Sequence, residues 1–212
     1  MSASTAALAL QKRVLSYWFQ DYKPGHSVPK ALLQRWFAGT EEVDEHIRTN
    51  FKKDRDALFE EGKYEDELSK TAHGTLSMII LLDQFSRNLY RNSPKSFEAD
   101  PKCVTMARRL IDTKMENELH PLERLFVYIP FEHAEDINHQ KYAIKKFEEV
   151  VELCDEHCRP MAESFVTFGQ RHKVVIEKFG RFPHRNEVVG RVSTQEEIDY
   201  LQNGGENFSK AS

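Results

Sequence analysis

The chain has 212 residues, of which 40% are hydrophobic and 30% charged, with a formal net charge of −4. A chain of this length buries roughly 70% of its unfolded surface and needs no staple. The composition excludes a disordered chain, and the charge excludes a diffuse nucleic-acid footprint.

The N-terminal segment MSASTAALALQKRV has an apolar patch with no basic residue ahead of it, so it lacks the layout of a secretory signal. From about Ala6 to Phe19, Leu8, Gln11, Val14 or Leu15, and Trp18 recur at helical spacing. Lys23-Pro24-Gly25 breaks the chain, and a short helix around Ala31–Phe37 carries Trp36 and Phe37. Val43, Ile47, Phe51 and Leu58 make the next stripe, with Gly62 as its stop. Thr75–Tyr90 is the most apolar helix; its run Met78–Leu82 is far too short to cross a bilayer. Val104 and Ile111 mark another helix. Pro121–Tyr128 is a short helix that Pro130 interrupts, and a long helix runs from about Phe131 to Leu153. Pro160 opens a helix that continues to Phe179 and stops at Gly180. Thr194-Gln195-Glu196-Glu197 is a capping box for a last helix.

The spacing therefore predicts an all-α protein of about eight or nine helices in one domain, residues 1–212, with a core over about 6–203 and a frayed tail after Gly204. Cys103, Cys154 and Cys158 are an odd, small set that points to reduced thiols and a cytoplasmic, soluble protein. One Cys-x₃-Cys leaves a zinc ion short of ligands, so no metal is expected, and no cofactor motif is present.

Three segments put polar residues where a helix would bury apolar ones. In LLDQFSRNLYR, Gln84, Asn88 and Arg91 stack at spacings of four and three beside the Leu82–Phe85–Leu89 stripe, and Asp83 is one turn before Arg87, an ion-pair spacing. In YIPFEHAEDINHQ, His133 and Gln140 share the phase of Ile137 and Ile144 and so point inward. Glu132, Asp136 and His139 share another face, which reads as a solvated acidic face before it reads as a metal site. In FGRFPHRNEVVGR, Pro183 extends Phe182, and Arg181, His184, Arg185 and Arg191 crowd one loop. Such planar cations suit a carboxylate or phosphate, and equally suit tying the loop to acidic helix faces. His172, between Phe168 and Ile176, points inward from the preceding helix.

These blocks, with the opening VLSYWF, the later RWF and the FEAD that ends at Asp100, resemble the domain of unknown function 924 family from about Val14 to Leu201. The resemblance implies an α–α superhelix similar to tetratricopeptide-repeat proteins. It marks Asp83, Gln84, Arg87, Asn88, His133, Glu135, Gln140, His172, Arg181, His184, Arg185 and Asn186 as the polar hallmarks, and implies no particular reaction. Ser86 stands where the family usually has proline, and Asn138-His139 replaces a more acidic pair.

Two readings follow. One is a pocket for a small anionic molecule, an enzyme if His133, His172 or His184 works as acid or base with Glu135 or Asp83. Its candidate ligand-binding residues are the hallmarks above with Arg91 and Arg191. The other is a helical-repeat-like module for a peptide or protein partner, whose polar blocks lock the superhelix. Neither involves nucleic acid or a membrane. Unpartnered burial costs on the order of 1–3 kcal/mol per group, so these side chains are expected to meet one another or a ligand.

Overall fold

A computed structural model describes residues 2–208. The described residues form helices and no strand. In order they are α1 (Ala3–Phe19), α2 (Lys30–Leu33) running into a π-turn at Gln34–Ala38, α3 (Glu41–Glu61), α4 (Glu65–Leu68) and α5 (Ala72–Ile79). A π-turn, Ile80–Gln84, leads into α6 (Phe85–Leu89); then come α7 (Asp100–Asp112), α8 (Pro121–His133), α9 (Ile137–Leu153), α10 (Arg159–Phe179) and α11 (Gln195–Gln202). Taking α5, the π-turn and α6 as one continuous helix gives 10 helices. No helix among the described residues is long and apolar enough to cross a membrane.

The helix ends follow local chemistry. Thr194 Oγ1 accepts from the Glu197 N–H at 3.2 Å, and Glu197 Oε2 accepts from the Thr194 N–H at 2.7 Å, closing the expected capping box. Gly180 ends α10 at φ +69°, a left-handed conformation that reverses the chain toward the arginine-rich loop.

Helix α8 is the centre of the core. Leu125, Phe126, Val127, Tyr128, Ile129 and Phe131 are all buried, so α8 is enclosed on every face. Trp18 of α1, Trp36 and Phe165 of α10 converge on Phe126, with ring centroids 5.7, 4.9 and 5.9 Å away. Burying each such side chain contributes roughly 1.5–3 kcal/mol. Helices α8, α9 and α10 pack consecutively, joined by short turns, an arrangement compatible with an α–α superhelix.

Four expectations are corrected. Helix α8 runs through Pro130 and ends at His133; the break comes at Asp136, whose carboxylate accepts from the N–H groups of Asn138 and His139 and starts α9. An N-capping carboxylate thus outweighs the missing proline N–H. Phe168 is 47% exposed rather than in the core, with the Arg171 guanidinium over its ring. Cys154 and Cys158 are joined as a disulfide, because the tight turn between α9 and α10 brings their Cα atoms to 5.2 Å. The segment from Gly205 to Phe208, expected to fray, is tied back onto α10. Arg171 holds Glu206 by two bonds of 2.7 and 2.6 Å, and Phe208 folds back onto His172. The tail beyond Phe208 lies outside the described residues.

Candidate functional site

The π-turn is where the site begins. It ends at Gln84 and adds a residue to the turn, which rotates the face that follows by about 100°. Asp83 thereby faces α8, and Arg87 faces the start of α7. Asn88 and Arg91 turn away to Asp44 of α3, to which both donate. Gln84 donates to Asp83 at 2.6 Å, so the three members of the expected stripe do not share a partner.

Asp83 is fully buried and accepts from His133 Nδ1 at 2.8 Å. Its other oxygen accepts from Gln84, and Arg87 lies 3.2 Å away. Burial pushes the Asp83 carboxyl up, but Arg87 and His133 outweigh it and hold the group well below the usual carboxylate range. A carboxylate only accepts, so the His133 proton is on Nδ1 and Nε2 carries the lone pair. Burial, reinforced by Arg87, lowers the His133 pKa against the opposing pull of Asp83. His133 is therefore neutral near pH 7, with a basic Nε2 that has no hydrogen-bond partner among the described residues.

Arg87 makes a fork to Asp100 of α7, with both bonds at 3.0 Å. Asp100 also faces Arg185 from the loop after α10, at 3.4 Å. That is the sole side-chain hydrogen bond of Arg185 among the described residues. Its Nε is buried without a partner, while its guanidinium lies over the rings of Phe97 and Phe182, each at 4.5 Å. Burial pushes the Arg185 pKa down to about 10, against the stabilising pull of Asp100. The neighbouring His184 has a buried, unpartnered Nδ1. Burial first, then Arg185, His172, Arg87 and Arg191, push its pKa down to about 3.

His172 completes the cluster, its ring centroid 6.4 Å from that of His133. Its Nδ1 donates to the Phe168 carbonyl at 2.9 Å. Glu132 Oε1 is also 2.9 Å from Nδ1, but the proton is directed at the carbonyl, so Oε1 is left buried without a hydrogen bond.

The structure thus brings Asp83, Arg87, His133, His172, His184 and Arg185 together from four parts of the chain. The other candidates are ties around them. Gln140 donates to the Glu132 and Ala134 carbonyls, splicing the break between α8 and α9. Glu135 is gripped by Arg191 and accepts from the Phe182 N–H at 2.7 Å. Arg181 and Asn186 both donate to Glu197 of α11. Among the described residues, no group of three or more His, Cys, Asp or Glu is placed to hold a metal ion. Asp100 and Glu132 were absent from the sequence-derived candidates; the FEAD block that ends at Asp100 was the available signal for the first.

Of the eight buried side-chain polar atoms without a partner among the described residues, four belong to the loop: His184 Nδ1, Arg185 Nε, Asn186 Oδ1 and Arg191 Nε. Native structures satisfy the large majority of such groups, so this concentration is the chemical signature of the region. The arrangement offers an oxyanion unfilled N–H donors beside a carboxylate-oriented imidazole.

The family model described as "Bacterial protein of unknown function (DUF924)" matches residues 14–205. No curated protein matches the chain. Among solved structures, it is similar to the protein of unknown function ATU0120 from Agrobacterium tumefaciens. The identity is 28% over 93% of this chain and 99% of that one, with a TM-score of 0.77. The fold and the three polar blocks agree with a family match over nearly the whole length, and the chain belongs to the DUF924 family.

Proposed function

We propose that the cluster of Asp83, Arg87, His133, His172, His184 and Arg185 is a site for a small molecule bearing a carboxylate or phosphate. Arg185 receives the oxyanion, and the Asp83–His133 pair moves a proton to or from the bound molecule. The observation that carries the reading is the Arg185 guanidinium: 8% exposed, one bond of 3.4 Å, and a buried Nε with no partner. Net burial of a cation is tolerated when its donors are filled, and an anion fills them. The His133 Nε2 lone pair supports the acid–base role, since Asp83 fixes both tautomer and ring orientation.

The competing reading, polar blocks that lock helices for a protein-interaction surface, is favoured by one observation. Asn88, Arg91, Arg181 and Asn186 are committed to Asp44 and Glu197. It accounts for those residues and leaves Arg185 and His184 unexplained.

Thermal unfolding in sodium phosphate or sodium benzoate, with ionic strength held by sodium chloride, tests the proposal. At about 100 times Kd, binding adds about 2.7 kcal/mol. For a chain of this size that raises Tm by roughly 5–10 °C. Arg185→Ala is expected to remove the rise while leaving the helical circular dichroism unchanged. A wild-type Tm that neither anion raises would contradict the proposal.

A further inference from the structure

The anion site is roofed by the chain's own C-terminal segment. The Phe208 ring lies flat on His172, with centroids 3.5 Å apart and planes at 13°. Phe182 and His184 meet it edge-on, at 6.0 Å and 85° and at 5.7 Å and 79°. These three residues make a slot with a flat floor and two aromatic walls, the width of one ring.

Beside the Phe208 ring contacts, polar ties hold the segment at Gly205 and Glu206. Arg171 and Glu206 pair at the exposed surface, the Glu206 N–H donates to the Tyr200 hydroxyl at 3.0 Å, and the Gly205 N–H donates to the Tyr200 carbonyl at 2.8 Å. Phe208 itself is half-buried. The two walls bring unfilled nitrogens with them: His184 carries a buried, unpartnered Nδ1, and Arg185, whose guanidinium lies 4.5 Å over the Phe182 ring, carries a buried, unpartnered Nε. A ring in the slot with an anionic group attached would give these nitrogens the partner that a phenylalanine lacks.

We infer that Phe208 occupies a ring-binding subsite, and that the molecule bound here carries a planar aromatic or heteroaromatic ring next to its carboxylate or phosphate. The segment from Gly205 to Phe208 is a strap that shuts the site, and the ligand's ring displaces it. This rests on the anion-site reading and adds the class of the remainder of the ligand. The apparent affinity of the intact chain is reduced by the fraction of molecules with the strap closed.

Titration calorimetry of the intact chain and of Phe208→Ala tests the inference with three probes: sodium benzoate, sodium cyclohexanecarboxylate and sodium phosphate. Phe208→Ala is expected to tighten benzoate binding tenfold or more. Cyclohexanecarboxylate, equal in charge but without a flat face, should bind Phe208→Ala at least about threefold more weakly than benzoate does. Arg171→Ala, which loosens the strap without touching the slot, should shift benzoate the same way by a smaller factor. Benzoate affinity unchanged by Phe208→Ala, with phosphate still bound through Arg185, would overturn the ring subsite and leave the anion site standing. Equal affinities of Phe208→Ala for benzoate and cyclohexanecarboxylate would overturn the aromatic class. Failure of all three probes on both proteins would overturn the anion site itself, and the inference with it.

Discussion

Two arginines are buried among the described residues, Arg55 in α3 and Arg185 in the loop after α10, and they are finished differently. Each lies over two aromatic rings: Phe59 and Tyr90 at 4.8 and 4.9 Å for Arg55, Phe97 and Phe182 for Arg185. Around Arg55 every direction is filled. Nε donates to Ser86 Oγ at 2.9 Å, Nη1 meets Glu98 at 2.8 Å and Asp56 at 3.3 Å, and Nη2 donates to the Lys95 carbonyl at 3.4 Å. Around Arg185 a single long bond to Asp100 stands alone. The same side chain, equally enclosed by rings, is a structural rivet in one region and an unfilled receptor in the other. What separates the two is hydrogen-bond satisfaction rather than burial or charge.

The largest expected effect sharpens that contrast. Arg55→Ala strips Ser86, Glu98 and Asp56 of their common partner. Breaking a buried pair costs about 3–5 kcal/mol, and the partial exposure of Glu98 and Asp56 brings the expectation to about 3 kcal/mol. The corresponding fall in Tm is roughly 6–12 °C. Arg185→Ala forfeits one long bond and the contacts with Phe97 and Phe182 but leaves Asp100 in its fork with Arg87, so a smaller loss of about 1–2 kcal/mol is expected. Urea unfolding of the two variants checks both figures. Equal losses would erase the distinction between rivet and receptor.

A smaller effect concerns pH. His184 is held neutral by burial and its folded pKa is depressed to about 3, below the value near 6.5 expected when unfolded. The unfolded chain therefore binds the extra proton first, and stability falls as pH drops through the window from about 6.5 to 3. The slope is about 1.4 kcal/mol per pH unit. His133, also depressed by burial, acts in the same direction. Asp83 and Glu135, both lowered by their cationic partners, add their loss only below about pH 4. His184→Asn should therefore recover about 2 kcal/mol of the decline between pH 6 and 4.5 and leave the steeper fall below pH 4 intact. A wild-type Tm that is flat from pH 6.5 to 4.5 would mean that His184 takes up its proton without penalty. That would remove the enclosed, unpartnered nitrogen from the site.

Helices were legible wherever one local rule acted. Gly62, Gly180 and the Thr194 box end or begin helices where their chemistry requires. Rules in competition were read less well. Pro130 looked like a break, yet the chain turns at Asp136, where a carboxylate supplies two backbone donors with an acceptor. The π-turn at Ile80–Gln84 has no composition signal, and the Asp44 partner of Asn88 and Arg91 lies more than 40 residues back along the chain. Of the site, His133, His172 and the loop cations were visible from helix phase and arginine density. Asp100 and Arg55 were not, since each acquires its role only from partners far along the chain. Phe208 was hidden for a similar reason: a tail rich in Gly and Asn reads as frayed until Arg171 and His172 come within reach.

The most direct test of an unfilled receptor is the arginine side-chain Nε–H resonance itself. In ¹⁵N-labelled protein, with the two signals assigned through Arg55→Lys and Arg185→Lys, sodium phosphate is titrated at constant ionic strength and pH 7. The Arg185 Nε–H signal is expected to move and saturate with phosphate, while the Arg55 signal, already bonded to Ser86, stays in place. An Arg185 signal that does not respond, or that moves only in step with Arg55, would contradict the account.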